Sequence, residues 1–358
     1  MGHVLFCKMI NSICVVRLSA LGDVLMLVPL IRTLQASLPQ AKLTWIISKP
    51  AFDLVEGMDG VEFIVIDKPK NLADFWQFKK RMSKRSFDVL LAPQASFRTN
   101  LLYPLIKATR KIGYDNHRAN DGHRWFVKEK IVPGLDHTLD GFLKFAEPLG
   151  IKEKVIRWDL PINPADYEWA ANQLPKDGPI LVVNAAASKP ERSWPVERYI
   201  EVLKQAQKRW SVRIVLTGGP GNYDKDLADQ IVQAIPAINL VGKTKPKQLL
   251  AVISQAHAVL CPDTGPSHMS AAVNTPVVAL HAVTNPLVSG PYTFPHLVVN
   301  RYPQAVEKVL GHSYEQHIWG THVHGDEAMK LILVEDVIDQ LAQIFSNHSA
   351  PRFQICGE

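Results

Sequence analysis

Asp263–His268, inside the run CPDTGPSHMSAA (Cys261–Ala272), gathers the residue types best suited to hold a polyanion. A buried apolar run, Ala258–Cys261, ends there, and a helical pattern starts close behind it, read as His268–Val273. A helix N-terminus exposes unpaired backbone N–H groups and the positive pole of the helix dipole. Gly265 lets the backbone approach a ligand closely, Thr264 and Ser267 offer hydroxyls, and His268 can donate to a phosphate oxygen. The same letters also read as a capped helix start with Ser267 or Asp263 as the cap.

Three further loops carry chemistry. SKPERSWP (Ser188–Pro195) follows an apolar run and holds Lys189 and Arg192, either of which could neutralise a departing diphosphate. A solvated basic loop is the alternative. LTGGPGN (Leu216–Asn222) puts glycines just after a strand, which suits close passage of a nucleotide, but it is not GxGxxG and no such fingerprint occurs in the chain. Gly242-Lys243-Thr244 imitates the end of a P-loop, yet Ala237 stands where the loop needs glycine, so an NTPase is excluded. In RLSALGDV (Arg17–Val24), Asp23 lies at the first strand-to-helix turn, where a carboxylate can take a proton from an incoming hydroxyl. A lone aspartate there also reads as an N-cap.

Two patterns are weaker. Asp224-Lys225-Asp226 has the Asp-x-Asp form of metal-dependent sugar transferases but falls at a helix start, where acids favour the dipole. His312, His317, His322 and His324 cluster without a carboxylate or cysteine at ligand spacing, so no metal is expected.

These loops must be positioned by an α/β framework. Short β-branched runs alternate with helical patterns, as in parallel sheets covered by helices. Strands are expected at Ile13–Leu18, Lys42–Ser48, Glu62–Ile66 and Asp88–Ala92, with helices at Val24–Leu38, Asn71–Arg81, Leu101–Ala108 and His137–Leu149. Asp159–Pro179, with four prolines, reads as a linker containing a short helix. The alternation then restarts with strands at Ile180–Asn184, Arg213–Thr217, Ile238–Val241, Ala258–Cys261 and Val277–Leu280, and a closing helix lies at Glu335–Phe345. The expected division is residues 1–165 and 166–358. Ligands in such sheets sit beyond the carboxyl ends of the strands.

A chain of 358 residues is long for a single core, which also argues two domains. A formal charge of +6 is compatible with an anionic substrate, a nucleic acid or an acidic membrane face and does not choose among them. Cys7, Cys14, Cys261 and Cys356 form no CxxC pair, which argues against a disulfide scaffold or zinc ribbon and for a reducing compartment. No signal peptide is read at the start, and no run approaches the roughly 20 apolar residues that span a bilayer, so any membrane role is peripheral. The basic run Lys79, Lys80, Arg81, Lys84, Arg85 reads as a solvated helix face, with attraction to anionic lipid as its second reading.

RLSALGDVLMLVPLIRTL, ERSWP, LTGGPG, GKT and DTGPSHMSAAVNTPVVALHAVTNP, in that order, resemble the heptosyltransferases of glycosyltransferase family nine over nearly the whole chain. The resemblance implies a GT-B architecture, two Rossmann-like domains facing an interdomain cleft, residues 1–165 binding the acceptor and 166–358 the donor. It further implies an ADP-heptose donor, an acceptor on the inner core of lipopolysaccharide at the cytoplasmic face of the inner membrane, inversion, and no metal or other cofactor. No nucleic-acid partner is expected, and a monomer is. By position, Asp23 matches the family's general base. Asp263, Thr264, Gly265 and His268 match donor contacts, and Ser188 matches a phosphate contact. Thr217, Gly218, Gly219, Thr244 and Ser267 fall in the matching donor loops. Arg192 stands where the family usually has lysine, leaving Arg192 or Lys189 to meet the leaving group. Asp224 stands for a glutamate that reads the ribose, and Ala92 replaces an aspartate two positions before Gln94. Rival readings are a nucleotide-sugar epimerase of the same architecture and a non-catalytic sugar-nucleotide binder.

Overall fold

The computed structural model describes residues 9–316 and 320–346. The chain divides into two compact units, Met1–Pro161 and Ile162–Glu358.

The first unit runs β1 (Ser12–Val16), α1 (Leu21–Ser37), β2 (Lys42–Ser48), α2 (Lys49–Val55), β3 (Val61–Ile66), α3 (Leu72–Met82), β4 (Ser86–Leu91), α4 (Phe97–Asn100), β5 (Lys107–Gly113), β6 (Glu129–Lys130) and α5 (Thr138–Leu143). Its sheet is parallel, in the order β3-β2-β1-β4-β5-β6. That is the doubly wound order, with its reversal between β1 and β4. Ile13–Val16 and Val89–Leu91 are fully buried, as central strands covered on both faces must be. The α1 stretch Val24–Leu34 is buried throughout and packs on α5. Arg32 fastens the end of the unit by donating to the carbonyls of Trp158 and Asp159, while the Trp158 indole donates to the Leu25 carbonyl.

The expected helix Leu101–Ala108 does not form. A short α4 and a 3₁₀ turn, Tyr103–Leu105, take its place, and β5 begins at Lys107. The strand KATRKIG is half solvated until Ile112 and Gly113, so its charged residues hide the strand period. α2, β5 and β6 have no counterpart in the sequence reading.

His123 is wholly buried; its Nε2 accepts the Tyr114 N–H, and its Nδ1 meets Asn100 Oδ1. Burial drives its pKa down from 6.5 to about 4. Between those values the unfolded chain takes up a proton that the folded chain refuses. Stability supplied by neutral His123 is therefore present above pH 6.5 and lost as pH falls towards 4. Urea titrations at pH 5 and pH 7 should show that loss in the parent and a smaller one in His123→Gln.

The second unit runs α6 (Pro164–Gln173), β7 (Ile180–Asn184), α7 (Val196–Trp210), β8 (Arg213–Thr217), α8 (Asn222–Ala234), β9 (Ile238–Asn239), α9 (Pro246–Ser254), β10 (Ala258–Pro262), α10 (Gly265–Ala272), β11 (Val277–His281), α11 (Pro286–Ser289), β12 (Val299–Asn300), α12 (Tyr302–Ala305) and α13 (Val334–Phe345). Its parallel sheet, β12-β11-β10-β7-β8-β9, repeats the same winding with the reversal between β7 and β10. β7, β10 and β11 are buried along their whole length. α7 and α13 pack together over a core that includes Trp194, Tyr199, Leu203, Ile338 and Leu341.

Candidate functional site

In the second unit the two loops at the winding reversal meet. Ser188–Arg192 follows β7 and Asp263–Thr264 follows β10, so both leave the carboxyl edge of neighbouring strands. The Arg192 guanidinium joins them. Its Nη2 donates to the Asp263 carbonyl at 2.7 Å and to Asp263 Oδ2 at 3.0 Å. Ser289 Oγ donates to the same carboxylate oxygen, and His268 Nε2 stands 4.0 Å from Oδ1. Burial would raise the Asp263 pKa, but the charges of His281, His268 and Arg192 and a bond from Thr284 outweigh it, and the carboxyl is held below its usual value. Arg192 Nε is buried with no hydrogen-bond partner. A buried donor without a protein partner can still bond a ligand oxygen that reaches it.

The α10 N-terminus lies beside this pair. Its N-cap is Thr264, in extended conformation, and no side chain caps the helix. This corrects the capping alternative. Ser267 Oγ donates to the Thr264 carbonyl, and the Asp263 carboxylate is engaged with Arg192 and Ser289. The helix N-terminus is therefore left to an anion.

Other expected donor residues have different surroundings. Lys189 and Ser188 are exposed, so among the two cations only Arg192 is pinned at the turn. Thr217 is buried at the end of β8, and its hydroxyl lies 3.5 Å from the Val183 carbonyl. Asp224 sits in the first turn of α8 and accepts the Gly219 N–H at 2.8 Å. It holds the Gly218-Gly219 loop, and a Cβ at Gly218 would come 2.9 Å from Asp224 Oδ1. Thr244 is half-buried in the loop before α9, beyond Gly242, whose φ of +71° suits glycine.

His281, Thr284 and Ser289 were not singled out from the sequence. They lie in and after β11, in the next loop along the sheet edge, and only folding brings them to Asp263. His322, which the sequence marks only as one of a histidine cluster, feels the same charges. Burial and the Arg192 charge lower its pKa, while Asp263 opposes the shift. Its segment is tied down by the Val323 N–H to the Val283 carbonyl and by His324 to Glu191 at 2.7 Å. His317 lies outside the described residues. Among the described residues no group of three or more His, Cys, Asp or Glu could hold a metal ion.

In the first unit Asp23 is the third residue of α1 rather than its N-cap, which is Ala20. Its Oδ2 accepts the Ala20 N–H at 3.1 Å and is paired with Arg17. Arg17 also donates to the Pro93 carbonyl at 2.6 Å and lies over the Phe142 ring. Burial alone would lower the Arg17 pKa, but Asp23 reverses the direction, so the guanidinium stays charged. Both contacts of Asp23 use Oδ2, and its N-cap reading is corrected: the carboxylate reaches back to the Ala20 N–H from the first turn of α1. Gln94, buried after β4, accepts the Leu18 N–H at 2.7 Å and braces the Asp23 loop. A cavity of about 450 Å³ opens beside this turn, bordered by Ser19, Leu21, Ser48, Pro50, Asp67 and Lys68.

Residues 75–316 match the family model described as glycosyltransferase family 9 (heptosyltransferase). The chain is 33% identical over 343 residues to lipopolysaccharide core heptosyltransferase OpsX of Haemophilus influenzae, covering 95% of this chain and 99% of that one. Among solved structures, a family 9 glycosyl transferase from Veillonella parvula superposes with a TM-score of 0.77 at 20% identity, covering 94% of this chain and 97% of its own. Heptosyltransferase WaaC of E. coli, solved with ADP, gives 0.69 at 19% identity, covering 93% and 99%. At such identity the structural likeness speaks for the fold, and that fold is GT-B, with two Rossmann-like units. On the match of sequence and of winding together, this chain belongs to glycosyltransferase family 9, the heptosyltransferases.

Proposed function

We propose that this enzyme transfers a heptose from ADP-heptose to the inner core of lipopolysaccharide, with inversion and without a metal. The observation that carries the donor half is the pairing of an uncapped helix N-terminus with Arg192, whose buried Nε lacks a partner, at the sheet reversal of the second unit. Fixed dipoles and a fixed cation at one point stabilise charge that grows on a departing diphosphate.

In this reading Asp23 removes the proton from an acceptor hydroxyl as that oxygen attacks the anomeric carbon. The bond to the diphosphate breaks on the opposite face, through an oxocarbenium-like transition state. Arg192, His268 and the α10 N-terminus receive the negative charge. Ser188, Lys189, Thr217, Gly218, Gly219, Asp224 and Thr244 border the donor, with Arg192 rather than the exposed Lys189 at the leaving group. No helix of the described residues is long and apolar enough to cross a membrane. We place the enzyme at the cytoplasmic face of the inner membrane as a peripheral monomer.

The test is incubation with ADP-heptose and truncated core lipid, followed by mass spectrometry of the lipid. A gain of one heptose is expected. Altered donor with unchanged lipid would instead establish an epimerase, and no change in either a binding protein.

A further inference from the structure

The first unit wears its apolar surface on one edge. Parallel strands send all their carboxyl ends to the same side of a sheet, and the loops and helix starts that follow β3, β4, β5 and β6 each expose a large apolar side chain. These are Leu72 (87% exposed) with Trp76 after β3, Phe97 after β4, Trp125 (76%) after β5, and Val132 and Leu135 after β6. Apart from Met9, every large apolar side chain more than 60% exposed among the described residues is one of these six.

The loops are held where they are. Phe97 N–H donates to Asp121 Oδ2, and Asn100 Nδ2 donates to the carbonyls of Asn120 and Asp121, so the β4 and β5 loops are joined. His123, two residues before Trp125, accepts the Tyr114 N–H just past the end of β5. Exposed Lys68, Lys70, Arg98 and Arg124 lie in the same loops, with Arg124 5.9 Å from the Trp125 ring centre. Of the acids there, Asp121 is engaged with Phe97, Asp115 with Arg118, Asp136 with Lys144, and Asp74, between Leu72 and Trp76, with the Lys70 and Asn71 N–H groups. Asp67 remains exposed beside Lys68.

Apolar and aromatic side chains interleaved with cations suit the headgroup region of an anionic bilayer, where rings enter the interface and cations meet phosphates. A second copy of the chain would present the same cations and repel. Asp23 leaves the same edge from β1, which lies between the exposed residues of β3 on one side and those of β4 to β6 on the other. We propose that the carboxyl edge of the first sheet is a membrane-docking surface for anionic phospholipid. The inference rests on the proposed function in taking a lipid-anchored acceptor as substrate.

The full chain is sedimented with phosphatidylcholine vesicles with and without phosphatidylglycerol. Binding is expected only to the anionic vesicles and should weaken as salt rises. Phe97→Ser/Trp125→Ser should cut partitioning by about tenfold or more. Arg98→Gln/Arg124→Gln should cost roughly fivefold per charge, while Leu287→Ser, an exposed change in the second unit, should cost nothing. Absence of binding to anionic vesicles, equal losses in Leu287→Ser, or a changed oligomeric state in the variants with vesicle binding intact would each overturn the proposal. Sugar transfer to detergent-dispersed acceptor keeps the two claims apart. Transfer without vesicle binding sinks the docking surface alone, and vesicle binding without transfer sinks the proposed function alone.

Discussion

Asp23→Asn should lower kcat for sugar transfer by about 10²–10⁴-fold, the usual worth of a positioned general base, while ADP binds as before. Asparagine is nearly the same size, and its carbonyl oxygen can still accept the Ala20 N–H that Asp23 accepts at 3.1 Å. The helix start should therefore survive. The variant removes the charge that faces the largely buried Arg17, so a fall in melting temperature is expected as well. A variant that binds ADP poorly but transfers at the parent's rate when donor is saturating would remove Asp23 from the chemistry.

The second large effect is expected at Arg192. Arg192→Ala should lower kcat by about 10²–10³-fold, as loss of one preorganised partner of a developing anion does elsewhere, and should also weaken ADP binding. It leaves Asp263 buried with one cation fewer, and breaking a buried pair costs about 3–5 kcal/mol. Arg192→Lys should fall between, because an ammonium cannot reproduce the fork that meets both the Asp263 carbonyl and its carboxylate. The pH dependence has a definite sign. Asp263 has a depressed pKa, so its contribution is present above the ordinary value of 3.8 and is lost as pH falls through the lower folded one. The stability gap between parent and Arg192→Ala should be widest above about pH 4 and close below it, which urea titration across the acid range will show.

Much of this was legible in the residues. β2, β7 and β8 stand at their expected bounds because short β-branched runs flanked by turn residues admit few other readings. The order of features at Asp263–His268 was legible for the same reason, a buried strand, small polar residues and a helix start in succession, but α10 starts at Gly265, three residues before the expected His268. β5 was not, because its lysines and arginine break the apolar period and its partners, β4 and β6, are set by tertiary pairing. The environment of Asp263 was not legible either. Ser289 lies 26 residues away in sequence and Arg192 71 residues away, and nothing in the spacing of either announces the contact. The capping alternatives at Ser267, Asp263 and Asp23 rest on one rule, that a polar residue beside a helix start caps it. Ser267 turns its hydroxyl to the Thr264 carbonyl instead, and that leaves the N-terminus open.

The most direct test of the donor site is a crystal structure of this protein with ADP bound. Diphosphate oxygens should lie within hydrogen-bonding distance of the backbone at Thr264–Gly265 and of the Arg192 guanidinium, with Nε among the donors. A nucleotide bound elsewhere, with Arg192 and Asp263 still closed on each other and the α10 N-terminus empty, would contradict it.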